Sequence, residues 1–202
     1  MTPDDVGRLL NVSRETLDQF AQYLALLEKW QKHINLIASS TLETAWQRHI
    51  LDSGQLAAHL PEGTGRILDI GSGAGFPGLI LAIMCGCEVE LVESDQRKAI
   101  FMRTVIRELG LSARVHNCRI ETLPPRSPDV ITARALAPLP KLLNLIENQV
   151  HSNVTCLFLK GASVEQELTN LASYSTMALV THPSLSDPEG VVLKLVSRHR
   201  GG

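Results

Sequence analysis

The chain runs to 202 residues, 44% of them hydrophobic and 20% charged, with a formal net charge of −2. That is apolar material enough for one sizeable core plus an extension. It excludes a bulk positive field that would draw the chain onto nucleic acid or a membrane, so any nucleic-acid contact must come from a local basic patch.

In chain order, the opening MTPDDVGRLL carries early acids and no long apolar run. No later run approaches the ~18 residues of a spanning helix. Neither a secretory leader nor a membrane span is expected, and the expected compartment is cytoplasmic. Residues 1–60 read as helical. Leu17, Phe20, Leu24, Leu27 and Trp30 recur at helical steps and make one apolar stripe, with Ser13 placed to cap it. A second helix is expected over about Leu42 to Leu60. On it, Arg48 and Asp52 stand one turn apart and can pair, and His49 falls near the stripe of Trp46, Ile50 and Leu60.

PEGTG, Pro61 to Gly65, breaks the pattern. It divides a helical cap, 1–60, from a second domain, 61–202. Beyond it strands alternate with helices: RILDI, then a helix led by Pro77; VELVES, then a helix from Asp95 to Leu109. ARVHN and DVITARA follow as strands, then a helix over Pro138 to Gln149. The strand VTCLFLK precedes a short helix, Ser163 to Leu171. MALVTH and VVLKLVS close the chain as a hairpin-like pair. Such alternation implies βαβ units and an α/β, mostly parallel, doubly wound sheet. Ligands of these sheets bind at the carboxyl ends of the strands. The four cysteines lack metal-ligand pairing and read as buried thiols in a reducing compartment; no metal is expected.

The stretch ILDIGSGAGFPG allows three glycine motifs. A P-loop needs Gly-Lys, which is absent. The dinucleotide fingerprint fits at Gly73, Gly75 and Gly78, but it starts late after the strand and puts Pro77 where a donor N–H is needed. The frame abutting the strand is Asp69, Gly71, Gly73, Gly75, the spacing of S-adenosylmethionine binders. There the glycines admit close approach of the main chain, and a carboxylate at Asp69 suits the ammonium end of a cationic ligand. Glu93 ends the next strand, where an acid can accept both ribose hydroxyls of an adenosine. A nicotinamide-dependent oxidoreductase shares that acid, and a ligand-free βα turn or a noncatalytic cofactor sensor would share the glycines.

Read together, NL at Asn35–Leu36, RHILDS at Arg48–Ser53, DIGSGAGFPG at Asp69–Gly78, LVES at Leu91–Ser94, RIE at Arg119–Glu121, ARALA at Ala133–Ala137 and LKG at Leu159–Gly161 resemble one family. It is the bacterial small-subunit ribosomal RNA guanine-N7 methyltransferases, also called the glucose-inhibited division protein B family. The resemblance implies a class I S-adenosylmethionine-dependent methyltransferase fold, Rossmann-like, with a seven-stranded sheet. It also implies methylation of N7 of one guanine in 16S rRNA, with that RNA or the small ribosomal subunit as partner. No obligate protein partner is evident. By the same resemblance, Gly71, Phe76, Ile120, Glu121 and Arg134 line the cofactor site. The family often carries Thr or Ser after Asn-Leu, where this chain has Ile37.

The residues suit that chemistry. Guanine N7 has an in-plane lone pair and no proton, so no general base is needed. ITARALAP lacks the Asn/Asp-Pro-Pro-aromatic motif of amine methylation, and no cysteine stands beside a proline for carbon methylation. Alignment then carries the rate. Arg134, at the rim, can clamp guanine O6 or a phosphate. Arg48, His49 and Lys160 are further candidates for positioning substrate, Lys160 by meeting RNA phosphate. Arg97, Lys98, Arg103, Arg107 and Arg114, and the terminal Arg198, His199 and Arg200, are modest basic clusters, with Arg103 and Arg107 on a solvated helix face.

Overall fold

The computed structural model describes residues 1–162, 164–169 and 177–197. Helix α1 (Pro3–Leu10) begins at a capping box in which Thr2 and Asp5 satisfy each other's backbone donors. Helix α2 (Arg14–Gln31) is capped by the Ser13 hydroxyl, as expected, and buries Phe20, Tyr23 and Leu27.

The second expected helix is not a regular one. Trp46–Leu51 winds as a π-helix, passes through a single α-turn, α3 (Asp52–Gly54), and tightens to a 3-10 stretch over Gln55–His59. The wider winding lets three successive residues, His49, Ile50 and Leu51, all point inward. Such bulges often mark functional sites. Gly54 permits contact with α1, since a Cβ there would lie 2.5 Å from Leu10 Cδ1.

The strands are β1 (Arg66–Ile70), β2 (Glu88–Val92), β3 (Ala113–His116), β4 (Val130–Arg134), β5 (Thr155–Lys160), β6 (Met177–Pro183) and β7 (Val191–Ser197). They form one sheet in the order β3-β2-β1-β4-β5-β7-β6. The first five are parallel, and β7 runs antiparallel to both β5 and β6. The intervening helices are α4 (Gly78–Cys85), α5 (Gln96–Leu109), α6 (Leu139–Ile146) and α7 (Val164–Thr169). The order reverses between β1 and β4, which opens a crevice at their carboxyl ends.

Each face of the sheet carries a core. On one, Phe20, Tyr23 and Leu27 of α2 join Leu79 and Ile80 of α4 and Phe101 and Val105 of α5 over Val89 and Leu91. On the other, α6 covers Leu68, Ile70, Ile131 and Ala133. Full burial of each large side chain contributes roughly 1.5–3 kcal/mol. The N-terminal helices are therefore fastened to the sheet layer by a shared core. Among the described residues, no helix is long and apolar enough to cross a membrane.

Candidate active site

Beyond β1 the chain bends through Gly71 and Gly73, both left-handed with φ of +63° and +59°. A Cβ at Gly71 would lie 2.5 Å from Leu136 Cδ1, whereas at Gly73 it would meet nothing nearer than Gly71 O at 3.9 Å. The first glycine admits a neighbour; the second leaves open space. Ser72 Oγ donates to Asp69 O at 2.9 Å, and Ser72 N–H to Val92 O at 3.1 Å, pinning the bend to β1 and β2. Glu93 holds it from the front: one oxygen accepts the Gly73 N–H at 2.8 Å and the other the Asp95 N–H at 2.7 Å. From behind, Tyr23 of α2 donates its hydroxyl to Ala74 O at 2.5 Å.

A cavity of about 350 Å³ lies before this bend. Gly71, Gly73, Glu93, Ile120, Glu121 and Arg134 line it, with Lys98, Cys118, Arg119 and Lys141 at its borders. Three expected cofactor contacts are not among its walls. Asp69 is fully buried. It stands opposite Thr132 in register and accepts that hydroxyl at 2.7 Å. Its other oxygen is turned against Gly78, with no formed hydrogen bond among the described residues. Burial pushes its carboxyl up to about 6, and the Thr132 hydroxyl, with the nearby Ser72 and Gly78 dipoles and the Arg134 charge, moderates that rise. Asp69 is thus set beneath the turn and shapes it, rather than forming a wall of the cavity. Gly75 packs against Leu79 rather than facing the cavity. Phe76 is also inside, edge-on to Tyr23 with centroids 5.2 Å apart and stacked on His49 at 5.0 Å. An apolar ring between two aromatic partners gains more there than at an open rim.

A second cavity, of about 700 Å³, shares residues 134–137 with the first. Arg48, His49, Asp52, Arg134 and Lys160 all line it, so the four positioning candidates do come together. Arg134 borders both spaces, as do Ala135, Leu136 and Ala137. Its guanidinium lies 4.8 Å from the Phe76 ring centroid. Its Nη1 donates to Arg48 O and His49 Nδ1, each at 3.1 Å, and reaches Asp52 Oδ2 at 3.4 Å.

Burial first, then the Arg134 and Arg48 charges, lower the His49 pKa to about 3. The neutral ring with Nδ1 accepting must carry its proton on Nε2. Nε2 then donates to Thr41 Oγ1 at 2.8 Å, and the Thr41 hydroxyl in turn donates to Ala38 O at 2.7 Å. His49 is an orienting acceptor, not a base in waiting.

Two further expectations are corrected. Arg48 does not pair with Asp52; it pairs with Asp187 at 2.6 Å, because the π-winding separates what one α-turn would stack. Lys160 is almost wholly covered and gives its ammonium to Ala137 O at 2.7 Å and Glu167 at 2.8 Å. Paired in this way, it braces the strand end rather than awaiting phosphate. Arg103 and Arg107 stay away from both cavities, bonding Val115 O and Glu108. Arg198, His199 and Arg200 lie outside the described residues. Burial pushes the Cys156 thiol up to about 12, which suits an inert core position.

Sequence reasoning missed the loop 184–190, which straps onto the helical segment. Ser186 Oγ donates to Asp52 Oδ1 at 2.6 Å, Gln47 to Ser186 O at 2.9 Å, and Leu185 N–H to Gln55 at 2.7 Å. It also missed Gln31, whose amide bridges the backbone of Leu36 and Ile37 and so fixes Ile37 at the cavity wall without needing a hydroxyl there.

The sheet order, with its single antiparallel β7, and a glycine bend at the switch point define a class I, Rossmann-like methyltransferase fold. A SAM-dependent methyltransferase from Aquifex aeolicus superposes with a TM-score of 0.62 at 17% identity, over 85% of this chain and 98% of that one. A putative S-adenosyl-L-methionine-dependent methyltransferase from Methanococcus maripaludis gives 0.64 at 11% identity, over 89% and 93%. The family described as rRNA small subunit methyltransferase G matches residues 16–191. The Ribosomal RNA small subunit methyltransferase G of Cereibacter sphaeroides is 48% identical over 200 residues, 96% of this chain and 97% of its own length. That of Rhodospirillum rubrum is 46% identical over 200 residues, 99% and 100%. The chain belongs to the rRNA small subunit methyltransferase G family.

Proposed function

We propose that this chain transfers a methyl group from S-adenosylmethionine to N7 of a guanine in the 16S rRNA of the small ribosomal subunit, in the cytoplasm. The observation that carries the reading is the shared wall: two cavities meet along residues 134–137, with Arg134 bordering both. A donor on one side and an acceptor on the other is the arrangement a direct transfer needs. The names of the full-length relatives support small-subunit RNA as the substrate.

The smaller cavity fits the cofactor. Gly73 leaves its Cβ direction open, Glu93 and Glu121 supply acid, and Ile120 supplies an apolar flank. S-adenosylmethionine, when bound, supplies an electrophilic methyl on a cationic sulfur. The chain's own groups bind and align. Glu93, still bonded to Gly73, has lone pairs left for ribose hydroxyls, and Asp69 keeps a carboxyl beneath the bend. In the larger cavity Arg134 is held over Phe76 by His49 and the Arg48 carbonyl, ready to orient a base. N7 has no proton to lose, so none of these groups is asked to act as a base. Residues 1–60 act as a cap that closes the base side over the domain formed by 61–202.

The test is a map of modified nucleotides in small-subunit RNA. A strain lacking this chain loses one N7-methylguanine, and the purified protein with S-adenosylmethionine restores it to unmodified subunits. Persistence of every N7-methylguanine in the deletion strain rejects the reading.

A further inference from the structure

The larger cavity is lined by three acids, and their bonds differ. Glu167 accepts from Lys160 at 2.8 Å and from the Leu139 N–H at 2.6 Å. Asp187 accepts from Arg48 at 2.6 Å and from the Glu189 N–H at 3.1 Å. Asp52 is held through one oxygen only: Oδ1 takes the Ser186 hydroxyl at 2.6 Å and the Gln55 amide at 3.3 Å. Its Oδ2 has a single, long contact, 3.4 Å to Arg134 Nη1. The carboxylate is thus fixed in direction while one oxygen keeps acceptor capacity toward the cavity. Beside it stands a guanidinium whose second terminal nitrogen makes no hydrogen bond among the described residues.

Along one side of guanine the groups run N7, O6, N1–H: acceptor, acceptor, donor. Arg134 borders both cavities, while Asp52, 3.4 Å from it, borders only the larger. Resting on the reading that this cavity receives the target base, we propose that Asp52 is a specificity-determining residue that accepts guanine N1–H while Arg134 donates to O6. That placement leaves N7 on the side of the smaller cavity. Adenine presents a donor amine where Arg134 needs an acceptor, and an acceptor N1 where Asp52 needs a donor. Both positions then oppose like groups, and the site rejects it. A site built around hydrogen bonds discriminates most strongly when a mismatch leaves its buried polar groups unpaired.

The experiment uses reconstituted small subunits whose RNA carries inosine or 2-aminopurine at the guanine that the native protein methylates. Inosine keeps O6 and N1–H and lacks the 2-amino group; 2-aminopurine keeps that amino group and N7 and lacks both O6 and N1–H. The native protein is expected to methylate inosine within about 10-fold of guanine and 2-aminopurine about 100-fold more slowly. In Asp52→Asn, guanine and inosine should fall about 100-fold toward the 2-aminopurine rate, while S-adenosylmethionine affinity by calorimetry stays within about twofold of native. Asp52→Asn that keeps the native preference for inosine over 2-aminopurine overturns the role of Asp52, whatever its absolute rate. So does native protein that accepts 2-aminopurine as readily as guanine, an arm that needs no variant. Native protein that places its methyl on an atom other than N7 rejects instead the functional reading beneath it.

Discussion

The two cavities are walled by different means. The smaller is shaped by main chain: a glycine bend fixed by Ser72, by Glu93 just past β2 and by Tyr23 of α2. The larger is walled by side chains reaching across the fold, with Arg48 meeting Asp187 across 139 positions and Arg134 meeting His49 across 85. Main-chain walls are insensitive to side-chain identity except where bulk is added. Side-chain walls fail one bond at a time and can be retuned for a different base. The contrast fits the proposed function, in which one side holds a constant donor and the other selects its target.

Substitutions at two glycines should break the comparison most sharply. In Gly73→Val the added methyls enter open space, so the chain stays folded, at a backbone strain of about 1–3 kcal/mol, while calorimetry detects no S-adenosylmethionine binding. Gly78→Ala is the reverse, since its Cβ would lie 2.6 Å from Leu91 Cδ2 and 2.8 Å from Asp69 Cβ. It should cost about 1–3 kcal/mol of stability, read from denaturant unfolding. On the other side, Arg134→Lys cannot reproduce a planar guanidinium whose Nη1 reaches three residues while its face lies over an aromatic ring. A drop of about 100-fold in kcat/KM on unmodified subunits is expected.

Tyr23→Phe sharpens the contrast at the join. It leaves Ala74 O without its donor and should lower stability by about 1–3 kcal/mol while weakening cofactor binding more than subunit binding. pH separates the two regions as well. His49 has its pKa lowered from 6.5 to about 3 in the fold, so the unfolded chain binds more protons in that window and stability falls as pH drops through it. Asp69, raised from 3.8 to about 6, acts oppositely: stability from this group falls as pH rises between those values. His49→Gln should therefore flatten the acid arm of the stability curve, and Asp69→Asn should steepen it. Least of all, Arg48→Ala removes a partly exposed ion pair and should cost under about 1 kcal/mol.

How legible these regions were follows from the same difference. Apolar runs punctuated by glycine and proline located all seven strands, and the acid ending β2 pointed to the cavity it lines, because both signals are local. Asp69 misled for a local reason too. In a strand covered on both faces, alternation gives no sign of which side is open, and its true partner, Thr132, lies 63 positions away. Arg48 and Asp52 fit a helical pairing rule whose helix is not α-helical there. Lys160 looked like a free cation until α7 brought Glu167 over it.

The strap also sets an order of events during synthesis. Gln47 and its acceptor, the Ser186 carbonyl, are 139 residues apart, so at ~5–20 residues per second the early segment waits about 7–28 s for its clasp. Until then a nascent chain has its glycine bend but lacks the strap contacts that hold Gln47, Asp52 and Gln55.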